Sequence, residues 1–128
     1  MSDKQTTLSI RVPLLARAMV EKASEKTGLG IAEYYISAAN TATQGILEHE
    51  KNLKILPEWL TDERERQMVS MMIDVDELKS ERRAAKRLMT PHTRFMIWAV
   101  LLAALGDLGQ SKSKDVVKEV DAQLNGSS

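Results

Sequence analysis

Cysteine is absent from this sequence of 128 residues, and aromatic side chains make up only 4% of it. The first absence excludes disulfides, cysteine-ligated metal sites and thiol chemistry, and it is typical of a reducing compartment. The second means that a core must be built from aliphatic side chains and methionine. The chain also carries no net charge at neutral pH, so overall electrostatic attraction does not favour a nucleic acid as partner.

Signals for secretion, membrane insertion and catalysis are also missing. The N-terminus is polar with no apolar run behind it, which predicts a cytoplasmic protein without a signal peptide. The longest apolar run, Phe95 to Leu105, is too short for a bilayer, which needs about 20 residues. His49 and His92 are not at ligand spacing, and no phosphate loop, nucleophile elbow or paired carboxylates stand out. We therefore predict no catalytic residues, metal or cofactor.

The most informative feature that is present is a strand pattern over residues 6–13. Apolar and polar side chains alternate along it, which places them on opposite faces of a strand. The apolar face consists of Leu8, Ile10 and Val12, and the polar face consists of Thr7, Ser9 and Arg11. No second strand of similar quality is evident downstream, and no internal repeat is evident. We therefore expect this strand to pair with the same strand of another copy, forming a symmetric two-stranded ribbon.

Helices are predicted for most of the remaining chain. The first covers 14–27 and ends at Gly28, and the second covers 31–47. A third is predicted from Thr61 to Leu88, and its apolar side includes Met68, Met71 and Met72. A fourth, capped by Thr90, contains the apolar run, and a last one is capped by Ser113. Because the run is apolar on all sides, we expect a subunit interface to cover it.

The order of strand, proline, helix, glycine turn and helix resembles the ribbon-helix-helix fold of the Arc and MetJ repressors. Arg11-Val12-Pro13 is similar to the arginine, apolar residue and proline that close the strand in Arc-like members. The resemblance implies that Thr7, Ser9 and Arg11 contact DNA bases. It also implies that backbone amides at the start of the second helix hold a DNA phosphate, and here these belong to Gly30, Ile31 and Ala32. Lys4 and Gln5 either follow the DNA backbone or form a disordered tail.

The predicted fold is mainly α. It has a ribbon-helix-helix domain over 1–47, a connector over 48–58 and a helical oligomerisation domain over 59–128. This layout is similar to that of accessory proteins of plasmid conjugation. It implies a sequence-specific double-stranded DNA-binding protein that acts as an autoregulatory repressor, as a relaxosome-type accessory factor, or as both. The implied partners are DNA, another copy through the strand, and a relaxase or other protein; a tetramer through the C-terminal helices stays open.

Two other functions stay open. A helical interaction protein that binds no DNA agrees with the zero net charge and the apolar C-terminal half. A ribbon-helix-helix antitoxin would use its C-terminal half to bind a toxin. The basic cluster between Lys79 and Arg87 is either a second DNA contact or a solvated helix end balanced by nearby acidic residues.

Overall fold

The computed structural model of the protein describes residues 4–49 and 66–125, and it is mainly helical with one two-stranded antiparallel sheet. In chain order the elements are β1 (Gln5–Pro13), α1 (Leu14–Thr27), α2 (Ile31–His49), β2 (Arg66–Asp74), α3 (Val75–Arg87) and α4 (His92–Asn125). The coarse prediction of a mainly α protein is confirmed, and so are the first two helices.

The partner of β1 is β2 of the same chain. The two strands run antiparallel over nine residues each, and Ser9 lies opposite Ser70 at the centre of the register. The predicted pairing of β1 with another copy is therefore wrong, because β2 already occupies the backbone groups along that edge.

The predicted third helix is also corrected, since residues 66–74 form β2 and only 75–87 are helical. Val69, Met71 and Ile73 alternate toward the core, as a strand with one buried face requires. Asp74 then caps α3, because its Oδ2 accepts the amide N–H of Asp76 at 3.0 Å and that of the next residue at 3.2 Å. The proposed capping residue of the longer helix lies outside the described residues.

The fold repeats once along the chain. Each element of the second half begins 61 residues after its counterpart in the first, so β2 follows β1, α3 follows α1 and α4 follows α2 at the same offset. The equivalence extends to the turns, where Gly28 (φ 81°) and Met89 (φ 57°) are both left-handed. The expectation of no internal repeat is thus wrong at the level of structure.

Helix α4 lies at the centre of the core and contacts α1, α2, α3 and β1. Phe95, Met96, Val100 and Leu101 have no exposed surface. The chain itself therefore buries most of the long apolar run, for which the sequence led us to expect cover from a second subunit. The helix axis breaks at Gly109, whose φ of 80° and ψ of 169° are not helical.

Residues from the predicted domains 1–47 and 59–128 contribute to the same sheet and the same core. The predicted connector, 48–58, lies outside the described residues except for its first two positions. The helix proposed to begin at Ser113 is the distal part of α4, and Ser113 itself is buried.

Candidate nucleic-acid interface

The exposed side of the sheet carries six central side chains, which we call the outer sheet face. β1 and β2 each contribute three. They are Thr7, Ser9, Arg11, Met68, Ser70 and Met72, and all six are exposed. The sequence prediction placed the first three on one face, and the structure confirms that placement. It adds the three residues of β2, which lie directly opposite them in the register.

The buried side of the sheet fixes which side chains point outward. Leu8, Ile10 and Val12 of β1 lie against the core with at most 9% of their surface exposed. A register shift of one residue in either strand would turn these aliphatic side chains toward water and the polar ones toward the core. The packing of the apolar side therefore holds the outer sheet face in place.

Hydrogen bonds join the two strands across the outer sheet face. The hydroxyl oxygens of Ser9 and Ser70 are 2.8 Å apart, and Thr7 Oγ1 donates to Met72 Sδ at 3.2 Å. At the other end, Arg66 Nη1 donates to the carbonyl oxygen of Arg11 at 3.2 Å. The Arg11 side chain itself is exposed, so its guanidinium is presented at the surface.

The residues predicted to contact phosphates lie in two places. Gln5 continues the exposed side of β1 opposite Asp74, and Lys4 is exposed just before it. The carbonyl oxygen of Lys4 accepts the amide N–H of Val75 at 3.1 Å, which ties the start of β1 to the start of α3. Gly30 lies elsewhere, in the turn between α1 and α2, with Ile31 and Ala32 in the first turn of α2.

The backbone at the start of α2 has the arrangement of an anion site. The Tyr34 amide donates to the carbonyl of Gly30 at 2.8 Å, so the amides of residues 31–33 precede the helical hydrogen bonds. The start of α4 is equivalent, since the Phe95 amide donates to the carbonyl of Pro91 at 3.0 Å. The third of these amides belongs to Glu33 in α2 and to Arg94 in α4. The start of α4 therefore attracts an anion more strongly than the start of α2.

A buried ionisable pair joins α3 to the first residue of α4. Glu81 has no exposed surface, and its Oε1 lies 3.2 Å from His92 Nε2. Burial raises the pKa of the Glu81 carboxyl above its ordinary value, and the hydrogen bond to His92 opposes that shift. His92 keeps 14% of its side-chain surface exposed, so the contact ties the start of α4 to the buried carboxyl of α3.

A second polar contact fixes α2 against α4. The Tyr34 hydroxyl donates to Asp107 Oδ2 at 2.6 Å, and desolvation raises the pKa of that phenol, with a further contribution from the carboxylate.

Within residues 4–49 and 66–125, no cluster of three or more histidine, aspartate or glutamate side chains is placed to hold a metal ion. In the same residues no single helix is long and apolar enough to cross a membrane, although the bent pair of α3 and α4 passes by length and composition.

Sequence reasoning missed Met68, Ser70 and Met72 as members of the outer sheet face. The signal was present, because Val69, Met71 and Ile73 alternate with them, but methionine stands on both faces and hides the period of two.

In comparisons with known proteins, no family model, curated protein or solved structure matches the chain.

Proposed function

We propose that this chain is a sequence-specific double-stranded DNA-binding protein of the ribbon-helix-helix type, which places its outer sheet face in the major groove. The observation that carries the proposal is the exposed side of the two-stranded sheet in the described residues, where four of the six side chains are polar. The major groove, about 12 Å wide, admits a two-stranded ribbon. A symmetric ribbon-helix-helix unit takes one strand from each of two chains, whereas here one chain supplies both.

The side chains of this face have the donors and acceptors that base recognition needs. The Arg11 guanidinium offers two parallel donors to the O6 and N7 acceptors of guanine. The hydroxyls of Thr7, Ser9 and Ser70 both donate and accept, so they suit several base edges. The face therefore supplies direct readout, with its one arginine as the most specific contact.

Phosphate contacts would orient the sheet in the groove. We assign this role to Lys4, Gln5 and the amides of Gly30, Ile31 and Ala32, together with the equivalent start of α4. Contacts of this kind set register and affinity without reading sequence. Because the chain has no net charge, binding rests on this local placement of donors.

The biological role we propose is autoregulatory repression, assistance to DNA processing on a plasmid or other mobile element, or both. This part rests on the similarity of layout to accessory proteins of conjugation, and a relaxase would be the partner in the second case. The exposed methionines favour one other candidate, a protein-docking surface that binds no DNA, because methionine is frequent at adaptable interfaces.

The test is selection from a randomised duplex library by the purified full chain, followed by affinity measurements at several salt concentrations. We expect an enriched motif and a linear fall of log affinity with log salt. Arg11→Ala should weaken binding to that motif about 10- to 100-fold, the loss of one bidentate arginine–guanine contact. No enrichment, with no salt-dependent binding, would contradict the proposal and favour the docking surface.

Two matched variants sharpen this test. Arg11→Lys keeps the charge but loses the bidentate geometry, so it should lose motif preference while retaining the salt dependence. Lys118→Ala removes one exposed positive charge from distal α4, far along the chain from the sheet. It should leave motif binding unchanged.

A further inference from the structure

Two large apolar side chains stand on the outer sheet face. Met68 is 57% exposed and Met72 is 52% exposed, whereas Met71 between them is 3% exposed and faces the core. The alternation shows that the exposed pair is not part of the core. A single strand therefore presents two thioethers, on either side of Ser70, on the face that we assign to DNA.

The register places each methionine beside a different polar partner. Met68 lies opposite Arg11, and Met72 lies opposite Thr7, which donates its hydroxyl to the sulfur. One end of the face thus carries a guanidinium beside a thioether, and the other carries a hydroxyl beside a thioether. Among these opposite pairs, Ser9 and Ser70 at the centre are the one pair in which both residues are of the same type.

The internal repeat shows how far the face departs from two-fold symmetry. At the 61-residue offset, Met68 is the counterpart of Thr7 and Met72 is the counterpart of Arg11. A symmetric ribbon would carry an arginine at both ends. This one carries an arginine at one end only, with an apolar side chain in the place of the second.

The apolar group that the major groove offers is the C5-methyl of thymine. A methionine side chain is flexible and polarisable, and it packs against such a group without a hydrogen bond. We infer that Met68 and Met72 are specificity-determining residues that contact thymine methyl groups on opposite sides of the centre of the site, and that the site is not a palindrome. This inference rests on the proposed function, and it names the bases that the β2 half of the face selects.

The experiment uses the duplex selected by the full chain, with single thymines replaced by deoxyuridine. Deoxyuridine keeps every hydrogen-bonding group of thymine and lacks only the methyl. We expect the replacement to weaken binding about fourfold at each of two positions, as loss of one buried methyl-sized contact predicts. Met68→Ala should abolish the effect at one position and Met72→Ala at the other.

Met89→Ala is the matched control, because Met89 is 94% exposed and lies in the turn after α3. It should keep the full deoxyuridine effect at both positions. Specific binding that is insensitive to deoxyuridine everywhere, or that stays sensitive at both positions in the Met68 and Met72 variants, would overturn the inference and leave the proposed function standing. A selected motif with full two-fold symmetry would also overturn it. Failure of the unaltered chain to select any motif would instead contradict the proposed function.

Discussion

Replacing Met89 by glycine should make the protein more stable, although the change removes a side chain. Met89 adopts a left-handed backbone with φ 57°, and its side chain is 94% exposed. The conformation is held by two hydrogen bonds, in which the amides of Met89 and Thr90 donate to the carbonyls of Lys86 and Ala85, each at 3.0 Å. The side chain contributes little packing, so the backbone cost dominates.

The size of the effect follows from two opposing terms. A residue other than glycine costs about 1–2 kcal/mol in the left-handed conformation. Glycine gives back about 0.5–1 kcal/mol, because it has more freedom in the unfolded chain. The net expectation for Met89→Gly is a gain of about 0.5–1 kcal/mol in the free energy of unfolding, or about 2–4 °C in Tm for a domain of this size.

Two glycine variants are matched controls with opposite signs. Gly28 is the counterpart of Met89, and a Cβ added there meets no atom within 4 Å, so Gly28→Ala tests the same two terms in reverse without a steric clash. It should lose about 0.5–1 kcal/mol. Gly106 also has open space around it but is helical, so Gly106→Ala should gain about 0.5–1 kcal/mol through helix propensity.

The assay is equilibrium unfolding in urea, with thermal unfolding as a second measurement. Unchanged m values would show that the variants unfold through the same transition, so the midpoints report stability. A loss of stability in Met89→Gly, or no loss in Gly28→Ala, would refute the reasoning. Either result would mean that the turns after α1 and α3 are not equivalent.

Two further predictions concern the polar contacts of Glu81 and Tyr34. In Glu81→Gln the variant should be at least as stable as the parent at neutral pH, and its advantage should shrink as pH falls. The reason is that burial raises the folded-state pKa of Glu81. The contribution of Glu81 to the free energy of unfolding is therefore fully present below its unfolded-state pKa, and it is lost as pH rises through the folded-state pKa. Unfolding measured between about pH 4 and pH 8 checks this, and a constant difference would contradict it. Tyr34→Phe should lower the free energy of unfolding by about 1–2 kcal/mol, because it removes the hydrogen bond to Asp107, and it should leave DNA affinity unchanged. An equal loss in the free energies of unfolding and of DNA binding would place Tyr34 in the binding surface instead.

The first half of the fold was predictable from the sequence because its signals are local. The alternation from Leu8 to Val12 and the stop at Pro13 define β1, and Gly28 ends α1 in the left-handed conformation that glycine favours. These features need no knowledge of the rest of the chain. They also sufficed to place Thr7 and Arg11 together on the exposed face.

The second half was not predictable in the same way. β2 has methionine on both of its faces, so its hydrophobic pattern is nearly continuous and also fits a helix. Asp74, which caps α3, occupies the position equivalent to Pro13 before α1. Met89, which follows α3, occupies the position equivalent to Gly28 after α1. Each substitution removes a local marker that the first half keeps, so the repeat is visible in the structure and hidden in the sequence.

The sequence predicts correctly that the long apolar run is a buried helix, but it does not predict which elements pack around that helix. A helix that is apolar on all sides requires neighbours on all sides. A chain of 128 residues offers little material to provide these neighbours, so the sequence predicts a subunit interface. In the structure β1 and three helices of the same chain pack against α4, in which Phe95 and Val100 have no exposed surface.

The most direct test of the single-chain sheet is a pair of cysteines at its centre, in a protein that otherwise has none. Ser9 and Ser70 are directly opposite, and antiparallel partners have Cα atoms about 4.5–5.5 Å apart, within the range that a disulfide spans. After mild oxidation, Ser9→Cys/Ser70→Cys should form a disulfide within one chain and keep the monomer mass, while Ser9→Cys alone should keep a free thiol. Covalent dimers from Ser9→Cys alone, and cross-links between chains in the double variant, would show that β1 pairs with β1 of another copy.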